Sequence, residues 1–139
     1  MKIAVVTDST AYLTKEEYAE YGIYVLPMSV IFGQETYREE IDITAEEFYA
    51  KVKSSPVFPT STQPAVGETY ELFRELAKDY DAIIPITISS GISGTYQTCV
   101  AVAEDMKDEI AIYPIDSEIS CAPQARAVKL AAIMAKSGE

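Results

Sequence analysis

Hydroxyl, carboxylate and glycine residues gather in a few short stretches of this chain. They are Asp8-Ser9-Thr10, Thr60-Ser61-Thr62-Gln63, Ser89-Ser90-Gly91-Ile92-Ser93-Gly94-Thr95 and Asp116 to Ser120. The third follows the β-branched run Ile83 to Ile88 and leads into helical spacing, so it reads as strand, loop and helix N-terminus. A helix start leaves backbone N–H groups unpaired and carries the positive end of the macrodipole, while Gly91 and Gly94 permit close approach of a ligand. An anion suits such a place. Neither the Thr60 to Gln63 stretch nor the Ser89 to Thr95 stretch contains a charged residue. An anion there would be held by hydroxyls, backbone N–H groups and a helix dipole, without a cationic fork. A carboxylate fits that arrangement better than a phosphate, whose extra charge usually recruits a cation.

Structural roles compete for the same residues. Ser93 fits the N-cap of the following helix, a position that hydroxyl residues fill routinely. Thr60 to Gln63 fits a plain turn cluster, and Asp8 and Asp116 fit helix caps or acceptors for loop amides. Cys99 and Cys121 fit packing positions, and the tyrosines fit half-buried surface and core.

Several chemistries are set aside by what is missing. The chain has no histidine, which removes a Ser-His-Asp hydrolase and a phosphohistidine carrier. Gly91-Ile92-Ser93-Gly94-Thr95 lacks the final glycine of a G-x-S-x-G elbow, and the loop has no lysine for a Walker A motif. Asp8 lacks the second Asp two residues on that an aspartyl-phosphate site would use. No cysteine spacing marks a metal site. Binding is favoured over catalysis, with no catalytic residue, metal or cofactor expected.

The elements that must position these loops alternate between strand and helix. Lys2 to Thr7 reads as a strand buried on both faces. Thr14 with Glu17 and Thr44 with Glu47 have capping-box spacing, opening helices over Lys15 to Tyr21 and Ala45 to Lys53. Tyr24 to Phe32 is a β-rich run carrying Pro27, with Thr36 to Arg38 as a returning arm after the Gly33 turn. Ser54 to Pro64 shows no period and reads as a long ordered loop. Helical spacing resumes from Val66 to Ala77, followed by strand Asp81 to Ile88, a helix over Thr95 to Met106, strand Ile110 to Ile115, and a last helix over Pro123 to Lys136. This predicts an α/β fold with a mostly parallel sheet and helices on both faces. Strand-end loops would then open on one rim, with Thr60 to Gln63 folded over it.

Composition fits one domain of 139 residues, 48% of them hydrophobic, enough for a real core. The net charge of −11 argues against nucleic acid and anionic membrane surfaces as partners, since both need clustered Lys and Arg. No apolar run approaches a membrane-spanning length, so no stable membrane insertion is expected. With no secretion-signal pattern at Met1-Lys2, the chain is expected in the cytoplasm with reduced thiols.

A set of motifs taken in order resembles the DegV family: Thr7-Asp8-Ser9-Thr10-Ala11, Phe32-Gly33, Tyr37-Arg38-Glu39, Phe48-Tyr49, Pro59 to Pro64, Ser89 to Gln97, and Ile115-Asp116-Ser117. The resemblance covers the whole chain. It implies a protein that sequesters one long-chain fatty acid and presents its carboxylate to a separate kinase subunit, which makes acyl phosphate for phospholipid synthesis in bacteria. It assigns the carboxylate contacts to Ser61, with Thr62 as neighbour and substitute, and to Ser93. Asp8, Ser9, Gly94 and Asp116 are the expected supporting residues. Family members are about twice this length, so residues 1–139 read as the N-terminal α/β domain, with the family's second domain absent from this chain. The loop also departs from the family's usual Thr-Ser-Gln-Pro-Ser by reading Thr60-Ser61-Thr62-Gln63-Pro64-Ala65, which keeps the contacting hydroxyl and loses the last. Two other readings stand beside this one: an enzyme or regulator that binds a small anionic metabolite at the same loops, and a folding unit without a ligand of its own.

Overall fold

A computed structural model describes residues 1–138. Its central sheet is parallel throughout. Strands β1 (Ile3–Asp8), β2 (Ile23–Leu26), β6 (Ala82–Thr87), β7 (Ala111–Ile112) and β8 (Ile115–Asp116) run in the order β2-β1-β6-β7, with β8 also pairing β6. Helices α3 (Val66–Leu76) and α4 (Thr95–Asp105) cover one face, where Phe73, Val102 and Met106 pack on Val6 and Ile83. Helices α1 (Lys15–Tyr21) and α5 (Cys121–Ser137) cover the other, where Val128 and Ala132 meet Val5 and Ile86. The expected α/β fold with helices on both faces is therefore present.

A second, antiparallel sheet was not legible in the sequence. The run Tyr24 to Phe32 does not form one strand: it leaves the parallel sheet after Leu26 and re-enters as β3 (Ser29–Phe32) in a separate sheet of order β4-β3-β5. Pro27 marks the break, having no N–H for a ladder. Strand β4 (Glu35–Arg38) is the predicted returning arm. Strand β5 (Thr60–Thr62) lies inside the stretch expected to be loop, and pairs Val30 with Ser61. All three β5 residues are exposed, so the strand carries no apolar alternation that would reveal it. Helix α2 (Ala45–Ser54) packs Phe48 and Val52 against Val30, Phe32 and Ile43 of this smaller layer.

Local signals otherwise act as chemistry predicts. Both capping boxes form, with Thr14 accepting from the Glu17 N–H and Thr44 from the Glu47 N–H. Gly22 ends α1 at φ 64°, a left-handed conformation that glycine adopts without steric penalty. The expected strand Ile110 to Ile115 is interrupted at Pro114, giving β7 and β8 on either side. Helix α5 starts at Cys121, two residues before the predicted Pro123.

Candidate functional site

Because β1, β6 and β8 are parallel, their C-terminal ends meet on one rim. Asp8 fastens two of them together. It is fully buried, and its Oδ2 accepts from the Ile88 N–H at 2.6 Å, beyond the end of β6. Its Oδ1 accepts from the Thr10 N–H at 3.0 Å and from Gln124 Nε2 at 3.3 Å, which ties in α5. The Thr10 hydroxyl also donates to this carboxylate. Among the described residues, these contacts of Asp8 are with the protein's own donors and tie the loops together.

Asp116 does similar work one strand over. Its Oδ1 accepts from the Ser90 N–H and the Glu118 N–H, each at 3.0 Å. Donation from the Ser90 side chain, followed by the Glu118 amide, holds its pKa below the usual carboxylate value. These bonds shape the loop from Ser89 to Gly94 from beneath.

At the end of that loop, Gly94 occupies the N-cap of α4, where it has no side chain to offer. The N-cap role expected of Ser93 therefore falls to its neighbour. Ser93 instead lies beside Thr95, accepting from its N–H at 3.3 Å, with the two hydroxyl oxygens 2.9 Å apart. Ser93 thus takes up the first N–H of α4, beside the positive end of the helix dipole.

Gln63 brings the second loop to this point. Its Nε2 donates to Thr98 Oγ1 at 2.8 Å, pinning the end of β5 to α4. The side chain crosses directly over Gly94, where a Cβ atom would lie 2.1 Å from Gln63 Oε1. Gly94 is needed for space, since its φ of −82° is open to any residue.

An open groove of about 470 Å³ results, lined by Ser61, Thr62, Gln63, Ser93 and Gly94 from the two loops, with Tyr12, Glu39 and Ile92 on its other sides. Four of the seven residues expected from sequence come together here: Ser61, Thr62, Ser93 and Gly94. Asp8, Ser9 and Asp116 do not line the groove. Ser9 stands behind it, donating to Glu39 Oε2 at 2.6 Å and accepting from the Met28 N–H at 2.9 Å.

Glu39, Tyr12 and Gln63 were missed as members of the site. Gln63 sits in a quoted motif, but nothing in its spacing told a structural latch from a turn residue. Glu39 reaches the rim through the antiparallel sheet, which the sequence did not show. It also changes the electrostatics: the two hydroxyl loops are uncharged, yet among the described residues the groove they form is lined by the Glu39 carboxylate and by no Lys or Arg.

Tyr12 stands at a junction. It lines this groove, a small pocket with Val30, Ile43 and Phe48, and a larger apolar groove of about 620 Å³ with Leu13, Ala125, Leu130 and Ile133. Burial, then the nearby Glu39 charge, raises its phenol pKa. Polar and apolar surfaces are therefore continuous across one side chain.

The Cys99 thiol pKa is pushed up to about 12 by burial and then by Asp8, far from that of a reactive thiolate. Among the described residues, no three His, Cys, Asp or Glu side chains converge as metal ligands, and no helix is long and apolar enough to cross a membrane.

Comparison with known proteins places this geometry in context. Residues 2–139 match the family model described as an uncharacterised protein of the DegV family. Protein DegV of Bacillus subtilis is 49% identical over 138 residues, covering 99% of this chain and 49% of that protein. The crystal structure of DegV from Bacillus subtilis, described as a fatty acid binding protein, superposes with a TM-score of 0.95 at 48% identity, covering 99% of this chain and 49% of that one. A DegV family protein from Thermus thermophilus, studied for fatty acid binding, superposes with a TM-score of 0.90 at 27% identity, covering 100% of this chain and 49% of that one. The chain spans about half the length of the curated relatives it matches.

Proposed function

The chain belongs to the DegV family, and from that premise we propose that its groove receives the carboxyl group of a long-chain fatty acid. Ser61 and Ser93 are the donors in this reading, with Thr62 beside Ser61 and the start of α4 adding its dipole. The acyl chain leaves past Tyr12 onto the adjoining apolar surface. The domain does no chemistry of its own. Within the longer protein it presents the head group to a separate kinase subunit, for acyl phosphate formation and phospholipid synthesis in the bacterial cytoplasm.

The observation that carries this reading is the convergence of hydroxyls from two loops distant in sequence on one groove, lined among the described residues by no Lys or Arg. That donor set suits a carboxyl group, and the structures to which this chain is most similar among those described are of fatty-acid-binding proteins.

Calorimetric titration with oleate tests it. Ser93→Ala removes a hydroxyl from the groove without touching the buried bonds of Asp8, so the fold should persist. The expected loss is about 1–3 kcal/mol of binding free energy, the usual cost of leaving a polar group short of a partner. Unchanged affinity would remove Ser93 from the site. Equal affinity for acetate and oleate would favour the small-metabolite reading.

A further inference from the structure

Among the described residues, Tyr12 alone lines all three cavities at the strand-end rim: the groove with Ser61 and Ser93, the small pocket with Phe48, and the apolar groove with Leu130. Its backbone lies in the left-handed region at φ 51°, a conformation that costs a tyrosine free energy and persists only where the surroundings impose it. Here they do. Asp8 caps the 3-10 turn Ser9–Ala11 by accepting from the Thr10 N–H, and the Tyr12 N–H closes the turn on the Ser9 carbonyl at 3.1 Å. The residues on either side, Ala11 and Leu13, are 2% and 7% exposed and pack with Val5, Ile86 and Val128. Tyr12 itself is 62% exposed, so its ring projects from a turn anchored on both sides.

The other described non-glycine residues with positive φ are Glu40, Glu118 and Cys121. All three lie in the same rim. Glu40 shares the small pocket with Tyr12, Cys121 shares the apolar groove with it, and the Glu118 N–H donates to Asp116, which also holds the Ser90 N–H. Strained backbone gathers where the direction of a side chain matters more than local stability. Burial, then Glu39, Cys121 and Tyr49, raises the Tyr12 phenol pKa. Groups from the end of β4, the start of α5 and α2 therefore surround the ring.

This position decides which part of a ligand the ring meets. Tyr12 lines the same groove as the two serines, so a fatty acid held there by its carboxyl group passes the ring with its first carbons. An unsubstituted chain presents only methylenes to it. A substituent on the carbon next to the carboxyl group widens the ligand at that point, and a ring on an anchored backbone yields only at a cost. We propose that Tyr12 is a specificity-determining residue for the head-proximal part of the acyl chain, an aromatic wall that admits unsubstituted chains and disfavours those branched beside the carboxyl group. This rests on the fatty-acid reading above.

The test measures displacement of a fluorescent conjugated-tetraene fatty acid from wild type, Tyr12→Ala and Tyr12→Phe. Three competitors of equal carbon number are used: a straight acid, an acid with a methyl branch beside the carboxyl group, and an acid with the branch at the far end. Both variants keep a Cβ atom, so the backbone at φ 51° is no more strained and the turn should persist. Wild type should bind the head-branched acid about tenfold more weakly than the straight one, and the far-branched acid within about threefold of it. Tyr12→Ala should bring the head-branched acid within about threefold of the straight one, while Tyr12→Phe, which keeps the ring, retains the wild-type ratio. The same ratio in Tyr12→Ala as in wild type overturns the inference and leaves the fatty-acid reading standing, as does loss of the ratio in Tyr12→Phe. If neither the probe nor any of the three acids binds wild type, both fall.

Discussion

Gly94 and Gln63 form the tightest residue-scale coupling in the groove. A methyl group on Gly94 would occupy the space of the Gln63 amide, so Gly94→Ala should break the bond to Thr98 and loosen β5. Overpacking of this kind costs about 1–3 kcal/mol. Truncating Gln63 opens the same space, so Gly94→Ala should cost much less in a Gln63→Ala background. Urea unfolding of the two single variants and the double variant measures this coupling, and strict additivity would contradict it. The same pair shows where sequence reading stops. Residue types marked the Thr60 to Gln63 and Ser89 to Thr95 loops, with Gly94 beside a helix start, and the family resemblance singled out Ser61 and Ser93 within them. Whether an Asp in such a loop holds a ligand or the fold is decided by its partners, and the full set around Asp8 comes from residues as distant as Ile88 and Gln124.

At the scale of elements, the legible features are those with short-range causes. Capping boxes and the left-handed Gly22 depend on neighbours a few residues away, and they place α1 and α2 closely. Strand β5 depends on a partner some thirty residues earlier, and its exposed residues leave no pattern. The smaller sheet that carries Glu39 is completed at its other edge by β4, whose end is tied by Arg38 and Asp42. Arg38 donates to Asp42 through both Nε and its backbone N–H at 2.9 Å. These bonds lower the Asp42 pKa from 3.8 to about 2. A depressed carboxylate pKa contributes stability that is fully present above its unfolded value and is lost as pH falls through its folded value. Thermal unfolding between about pH 4 and about pH 2 should therefore show an acid-induced loss that Asp42→Asn reduces. An identical acid profile in the variant would show that this pair does not hold β4.

For the whole molecule, the layered α/β architecture followed from alternation of strand and helix, since each apolar face must be covered. What alternation could not give was the separate small layer of β3, β4, β5 and α2, which lays β5 and Glu39 over the rim of the parallel sheet. That layer turns a set of strand-end loops into a groove with walls. Exposed apolar residues beside it, including Tyr12, Leu130 and Ile133, extend it into a surface suited to an acyl chain. On the proposed reading, this half-length chain already holds the head-group site. Denaturing extraction and mass spectrometry of the chain purified from bacteria, before and after incubation with oleate, test it most directly. The expected result is a long-chain fatty acid retained by the wild type and depleted in Ser93→Ala. A folded chain that emerges free of lipid and takes up no added oleate would contradict the claim.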